Sequence, residues 1–111
     1  QPAPPAQQPV PPLQAETPAQ PPPPPETTLV RTAWLALSAN DPARALELVR
    51  TDEASHPHGE LSEERDAIRI VALARLGRLD DARAAASSFF AQYPASLQRQ
   101  LVERALSAPP T

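Results

Sequence analysis

The sequence predicts an all-α domain of five helices that follows a proline-rich N-terminal segment. Residues 26–108 are dominated by Ala, Leu, Arg and Glu, which all favour helices. Their apolar residues recur at three- and four-residue spacings, and no stretch shows the sustained alternation that is typical of a strand. By contrast, 12 of the 17 prolines lie in residues 1–25. The chain of 111 residues therefore has room for one small helical domain.

Residues 1–25 consist almost entirely of Pro, Gln and Ala, and Val10 and Leu13 are their only large aliphatic side chains. Proline lacks a backbone N–H and has a fixed φ, so this segment cannot build a helix or a sheet. We expect a disordered linker that is partly polyproline II and acts as a spacer. The spacings Pro2-x-x-Pro5 and Pro9-x-x-Pro12 leave a polyproline ligand as the alternative, although no Arg or Lys flanks them.

The first two helices are predicted from their start and stop signals. The first is expected over residues 26–39, with Thr27 or Thr28 as its N-cap. Asp41 is a good N-cap for the second helix, and Pro42 suits its first position, where the missing N–H costs nothing. We expect this helix to end at about Thr51, before a loop over residues 55–59.

Three further helices are predicted after that loop. The third begins at Ser62, is apolar around most of its circumference and ends at Gly77, which we expect to adopt a left-handed conformation. It is therefore the candidate for the central helix. The fourth is expected over residues 80–91. The fifth would be capped by Ser96 and would present Leu97 on its apolar face.

Two parts of the predicted domain repeat each other with an offset of 37 residues. Ala45 and Pro57 in the first part correspond to Ala82 and Pro94 in the second, and each part reads as helix, tight turn, helix, proline. A helical hairpin cannot bury its own apolar face. Two stacked hairpins and a capping helix would share one core.

These repeats resemble the tetratricopeptide family, whose usual period is about 34 residues. The resemblance is carried by the turns Asn40-Asp41-Pro42 and Gly77-Arg78-Leu79, by the small crossing residues, and by the closing prolines. Residues 89–96 are similar to an ending that is common in bacterial periplasmic repeat proteins. Asp52 departs from the pattern, which prefers a small apolar residue there. The resemblance covers residues 26–106 and implies two hairpins followed by a capping helix.

The resemblance also implies a concave face lined by the first helix of each hairpin. Such a face would form a partner-binding groove with an apolar floor and charged rims. Its predicted residues are Val30, Trp34, Leu37, Glu64, Ala67, Val71 and Arg75. Trp is enriched in binding hot spots, which favours the groove. The alternative, which we favour for Trp34 alone, is that this side chain completes a thin core.

The composition argues against several other functions. A net charge of −3 without a basic patch argues against nucleic-acid binding. The chain has no cysteine, and its two glycines form no phosphate loop. We therefore predict neither an enzyme nor a cofactor. His56-Pro57-His58, with Asp52, Glu53 or Glu60, is the one candidate metal cluster, but we favour an exposed loop and predict no metal.

The cellular setting is predicted from composition and resemblance. All ten basic residues are arginine, which together with abundant alanine suggests a GC-rich bacterial genome. No apolar run approaches the ~20 residues of a membrane helix. The chain starts at Gln1 without Met and without a signal peptide, so we expect a mature or excised fragment that was preceded by a signal sequence or a membrane anchor. The resemblance implies a periplasmic or membrane-tethered domain, with a cytoplasmic linker domain as the alternative.

The resemblance implies a non-catalytic scaffold or interaction domain of a membrane-anchored envelope protein or of a sigma-factor-linked regulatory protein. It would bind a protein or peptide partner. The alternative is a structural domain that self-associates into a homo-oligomer.

Overall fold

The computed structural model describes residues 22–107. No residue of this range lies in a strand, so the predicted all-α class is confirmed. The predicted linker falls largely outside the described residues; of its last four, Pro25 has the φ of −59° and ψ of 151° of polyproline II. The five helices of the described range are α1 (Glu26–Ser38), α2 (Pro42–Ser55), α3 (Ser62–Arg75), α4 (Leu79–Gln92) and α5 (Arg99–Ser107).

Helix α3 is the centre of the fold. It packs against each of the other four helices, whereas α2 and α4 do not contact each other. Ile68 and Ile70 of α3 are fully buried, and burial of a side chain of this size stabilises a fold by about 1.5–3 kcal/mol. The prediction that the third helix is central is therefore confirmed.

The two hairpins turn in the same way. Gly77 has a φ of +81°, as predicted, and Asn40, 37 residues earlier, has a φ of +60°. At the first turn the N–H groups of Asn40 and Asp41 donate to the carbonyls of Leu37 and Ala36, at 2.9 and 2.8 Å. The same two bonds recur after α3. Both turns are thus Schellman motifs, which satisfy carbonyls at the end of the preceding helix.

The 37-residue repeat is present in the helix boundaries. Helix α4 begins and ends 37 residues after α2, and α5 begins 37 residues after α3. Ala45 and Ala82, the predicted crossing residues, are both fully buried. Asp41 caps α2 as predicted, because its Oδ1 accepts the N–H of Arg44 at 3.1 Å.

Two predictions about α1 and α2 are wrong. Neither Thr27 nor Thr28 caps α1; the carbonyl of Pro25 instead accepts the N–H groups of Thr28 and Leu29, at 3.0 and 3.1 Å. Helix α2 runs to Ser55 and not to Thr51. It continues because Asp52 is buried against a side chain of α3.

The prediction for the start of α5 is also wrong. The helix begins at Arg99, and Leu97 is 94% exposed. Ser96 explains the difference, since its hydroxyl accepts the N–H of Gln98 and donates to the carboxylate of Glu63 on α3. These bonds hold the segment before Arg99 as turns.

Of the helices described here, none combines the length and the apolar character that crossing a membrane requires.

Candidate partner-binding groove

A shallow groove of about 340 Å³ lies between α1 and the start of α3. Apolar side chains make up its floor, and Leu35 among them is 60% exposed. Polar and charged side chains stand at its edge. The floor comprises Val30, Trp34, Leu35 and Leu61, and the edge comprises Thr27, Arg31, Ser38 and Glu64. We call this surface the Trp34 groove.

Trp34 contributes to both the core and the groove. Its side chain is half-buried and packs against the apolar core, and it also lines the groove. The two interpretations of Trp34 each describe one part of the same side chain.

The structure brings together three of the seven residues predicted for the site: Val30, Trp34 and Glu64 line the groove. The other four do not. Leu37, Ala67 and Val71 are buried in the core. Arg75 lies at the C-terminal end of α3, where its Nη1 donates to the carbonyl of Leu37 at 2.7 Å.

The sequence-based prediction missed five residues of the groove: Thr27, Arg31, Leu35, Ser38 and Leu61. Leu35 follows Trp34 directly, and adjacent residues of a helix point in different directions, so spacings of three and four residues do not group Leu35 with Trp34. Leu61 precedes the first residue of α3, and Arg31 lies one position after Val30. The available signal was an uninterrupted apolar run at Trp34-Leu35, which is wider than a core-facing stripe requires.

The two charges at the edge of the groove are available to a partner. Arg31 stands on α1 and Glu64 on α3. Neither forms an ion pair with another described residue. A bound segment therefore meets an unpaired positive charge on one side and an unpaired negative charge on the other.

A larger cleft of about 600 Å³ lies over α3, between the end of α2 and α4. Its charges are already neutralised within the fold. Arg69 donates to Glu53 at 2.7 Å and to Asp66 at 3.3 Å. Because burial of apolar area drives most protein association, the smaller Trp34 groove is the better docking surface.

A buried ion pair lies beneath this cleft. Asp52 is 1% exposed and Arg65 is 5% exposed, and their Oδ2 and Nη1 atoms are 3.5 Å apart. The same Nη1 donates to the carbonyl of His56 at 3.2 Å. Burial raises the pKa of the Asp52 carboxyl, and the negative charge of Glu26 adds to the effect, while Arg65 and His56 oppose it.

The histidine loop contacts the N-terminal segment. His56 Nε2 lies 2.9 Å from the carbonyl oxygen of Pro24. Since a carbonyl oxygen only accepts hydrogen bonds, this geometry assigns a proton to Nε2. Within residues 22–107, no group of three or more His, Asp or Glu side chains is arranged to hold a metal ion.

Comparison of the chain with protein-family models, with curated proteins and with solved structures gave no match. The resemblance to tetratricopeptide repeats therefore stays a sequence-based prediction.

Proposed function

We propose that the domain is a non-catalytic interaction module that binds an apolar segment of a protein or peptide partner in the Trp34 groove. The observation that carries the proposal is the meeting of a half-buried Trp34 and a 60% exposed Leu35 on one concave surface. Removing exposed apolar surface of this kind from water contributes favourably to the free energy of partner binding. Trp is also the side chain most often found at the energetic centre of an interface.

The charges at the edge of the groove describe the partner further. A matching segment carries apolar side chains for the floor, an acidic residue that faces Arg31 and a basic residue that faces Glu64. An amphipathic helix provides this arrangement, because side chains three and four residues apart share one face.

We also propose a family and a setting for the module. Two hairpins that repeat every 37 residues, with small crossing residues at Ala45 and Ala82, support a tetratricopeptide-like architecture. The resemblance of residues 89–96 to periplasmic repeat proteins supports a tethered scaffold of the bacterial envelope, or a regulator that works with a sigma factor. The full gene product tests this setting, because a membrane anchor ahead of Gln1 is expected.

Selection from a displayed random-peptide library tests the binding function. Trp34 is the only tryptophan, so its fluorescence reports directly on the groove. We expect selected peptides to shift the Trp34 emission on titration, and we expect Leu35→Ser to weaken binding. Leu97→Ser, which alters an exposed leucine outside the groove, is the matched control and should leave affinity unchanged. If the peptides bind Leu35→Ser as tightly as the unaltered chain, the Trp34 groove is not the binding site.

Self-association is the second candidate, because Leu97 is 94% exposed beside the last helix of the described range. If Leu97 mediates it, light scattering should show a mass that rises with concentration, and Leu97→Ser should abolish the rise. A mass that stays monomeric at all concentrations rules this candidate out.

A further inference from the structure

The two repeats carry different side chains where the second helix of each hairpin packs against the helix that follows it. We call this part of the hairpin the corner. With the offset of 37 residues, Asp52 corresponds to Phe89, and Arg65 corresponds to Val102. All four side chains are buried. The fold therefore accepts an apolar pair at these two places, and an ion pair is not needed to form the hairpin. Replacing a buried ion pair by apolar residues is often neutral or stabilising in other proteins.

A second pair of equivalent positions differs in the same corner. Glu63 of the second unit accepts a hydrogen bond from the hydroxyl of Ser96. Its counterpart in the first unit is Glu26, and the counterpart of Ser96 is Gly59. The carboxylate of Glu26 occupies the space that a Cβ at position 59 would fill. Position 59 of the first unit therefore offers Glu26 no hydroxyl group like the one that Ser96 donates to Glu63 in the second unit.

Three buried polar atoms in or beside this corner have no hydrogen-bond partner among the described residues. They are Glu26 Oε2, Asp52 Oδ1 and Arg65 Nε. Arg65 Nε lies 3.5 Å from Asp66 Oδ1, a separation too long for a hydrogen bond of good geometry. An unsatisfied buried group costs about 1–3 kcal/mol. The second unit forms the same corner without this cost, so the fold does not require the unsatisfied polar atoms of the first unit. Local rules of folding are usually broken in this way at functional sites.

The corner holds the junction between the N-terminal segment and the helices. His56 Nε2 bonds to the carbonyl of Pro24, and Glu26 is the first residue of α1. The carbonyl of Pro25 accepts the N–H groups of Thr28 and Leu29. The way in which residues 24–26 lie on the loop between α2 and α3 therefore depends on this corner.

We propose that Glu26, Asp52, His56 and Arg65 form a proton-operated latch, in which proton uptake at Asp52 tightens the hold on residues 24–26 and proton release loosens it. With Asp52 ionised, the corner has two carboxylates beside the Arg65 guanidinium and the His56 imidazole, and each carboxylate has one oxygen without a donor among the described residues. A proton on Asp52 lowers the negative charge of the corner and turns one acceptor into a donor. Because both oxygens are buried, a proton fits the corner and a hydrated ion does not.

The groups that act on Asp52 come from each element packed against α2. Glu26 lies on α1, His56 lies on the following loop, and Arg65 lies on α3. Burial is the largest cause of the raised pKa of the Asp52 carboxyl, followed by the charge of Glu26, while Arg65 and His56, each with a smaller effect, oppose them. The folded chain thus binds a proton more tightly than the unfolded chain, in agreement with a latch that closes on acidification.

Hydrogen exchange of the full chain tests the latch. The reporters are the amides of Thr28 and Leu29, which both donate to Pro25. Protection factors, corrected for the intrinsic effect of pH on exchange, are measured from below the ordinary Asp pKa of 3.8 up to neutral pH. We expect both amides to lose protection several-fold as the pH rises, while the amides of Ala82 and Tyr93 in the second unit change less.

Two variants complete the test. Asp52→Asn imitates the protonated carboxyl, so its reporter amides should stay protected over the whole pH range. Glu63→Gln alters the equivalent carboxyl of the second unit and should keep the pH dependence at Thr28 and Leu29. The latch is overturned if Asp52→Asn retains the pH dependence of the unaltered chain, or if the reporter amides change only in parallel with those of α4. Neither outcome bears on binding in the Trp34 groove.

Discussion

Arg75 Nη1 donates a hydrogen bond of 2.7 Å to the carbonyl oxygen of Leu37. The bond joins the C-terminal ends of α3 and α1, the two helices that form the Trp34 groove. The resemblance implied that Arg75 lines the groove, where it would contact a partner. In the structure Arg75 instead ties the C-terminal end of α3 to that of α1 and does not line the groove.

Arg75→Gln should lower the free energy of unfolding by about 1 kcal/mol, because a charge-assisted bond to the C-terminal end of a helix is lost. Urea unfolding monitored by circular dichroism measures the change. Arg104→Gln is the control, since Arg104 is exposed in the last turn of α5 and forms no ion pair with another described residue. An equal loss in both variants would show that the bond to Leu37 contributes nothing specific.

The combined variant Asp52→Phe with Arg65→Val gives the first unit the apolar pair of the second. We expect it to be at least as stable as the unaltered chain at neutral pH. Arg65→Val alone should cost about 3–5 kcal/mol, because it leaves Asp52 buried without its partner. Urea unfolding of both single variants and the combined one closes a double-mutant cycle. A combined variant clearly less stable than the unaltered chain would contradict this prediction, and a combined loss equal to the sum of the single losses would show that the two side chains are not energetically coupled.

The contribution of Asp52 to the stability of the domain should fall as pH rises above the ordinary Asp pKa of 3.8. The unfolded chain releases the Asp52 proton near the ordinary pKa of 3.8, whereas the folded chain holds it to a higher pH. In that window the folded state binds more protons, so raising the pH favours unfolding. The difference in unfolding free energy between the unaltered chain and Asp52→Asn, followed over a pH series, isolates this contribution. A difference that is constant with pH contradicts the assignment to Asp52.

Substitutions at Gly59 should separate the roles of space and hydrogen bonding. Gly59→Ala places a methyl group where the Glu26 carboxylate lies, and overpacking of this kind costs on the order of 1 kcal/mol. Gly59→Ser adds a hydroxyl and lets Glu26 adopt the arrangement of Glu63 with Ser96, so it should be the more stable of the two. Thermal unfolding compares them, and equal melting temperatures would show that the hydroxyl gains no partner.

The elements predicted correctly depend on local chemistry. The Asp41-Pro42 start of α2 and the left-handed Gly77 follow from backbone and capping preferences within a few residues. The errors involve contacts between distant parts of the chain. Helix α2 is longer than expected because Asp52 is buried, with its carboxylate paired to Arg65, 13 residues later in the chain. Leu97 is exposed because Ser96 bonds to Glu63, 33 residues earlier.

The candidate site was predicted in part for a similar reason. The concave face implied by the resemblance included Trp34 and Glu64, and both line the groove. The resemblance could not fix how the two helices are rotated about their axes, and this rotation places Leu37 and Val71 in the core. The unusual Asp52 was visible in the sequence, but its buried partner was not.

The affinity of a library-selected peptide for Trp34→Ala tests the central claim most directly. Circular dichroism first establishes that the variant retains its helices, and Leu97→Ser serves as the control. Loss of a hot-spot side chain costs about 2 kcal/mol or more, so affinity for Trp34→Ala should fall roughly thirtyfold while the control binds normally. A helical Trp34→Ala variant that binds the peptide as tightly as the unaltered chain would contradict the account.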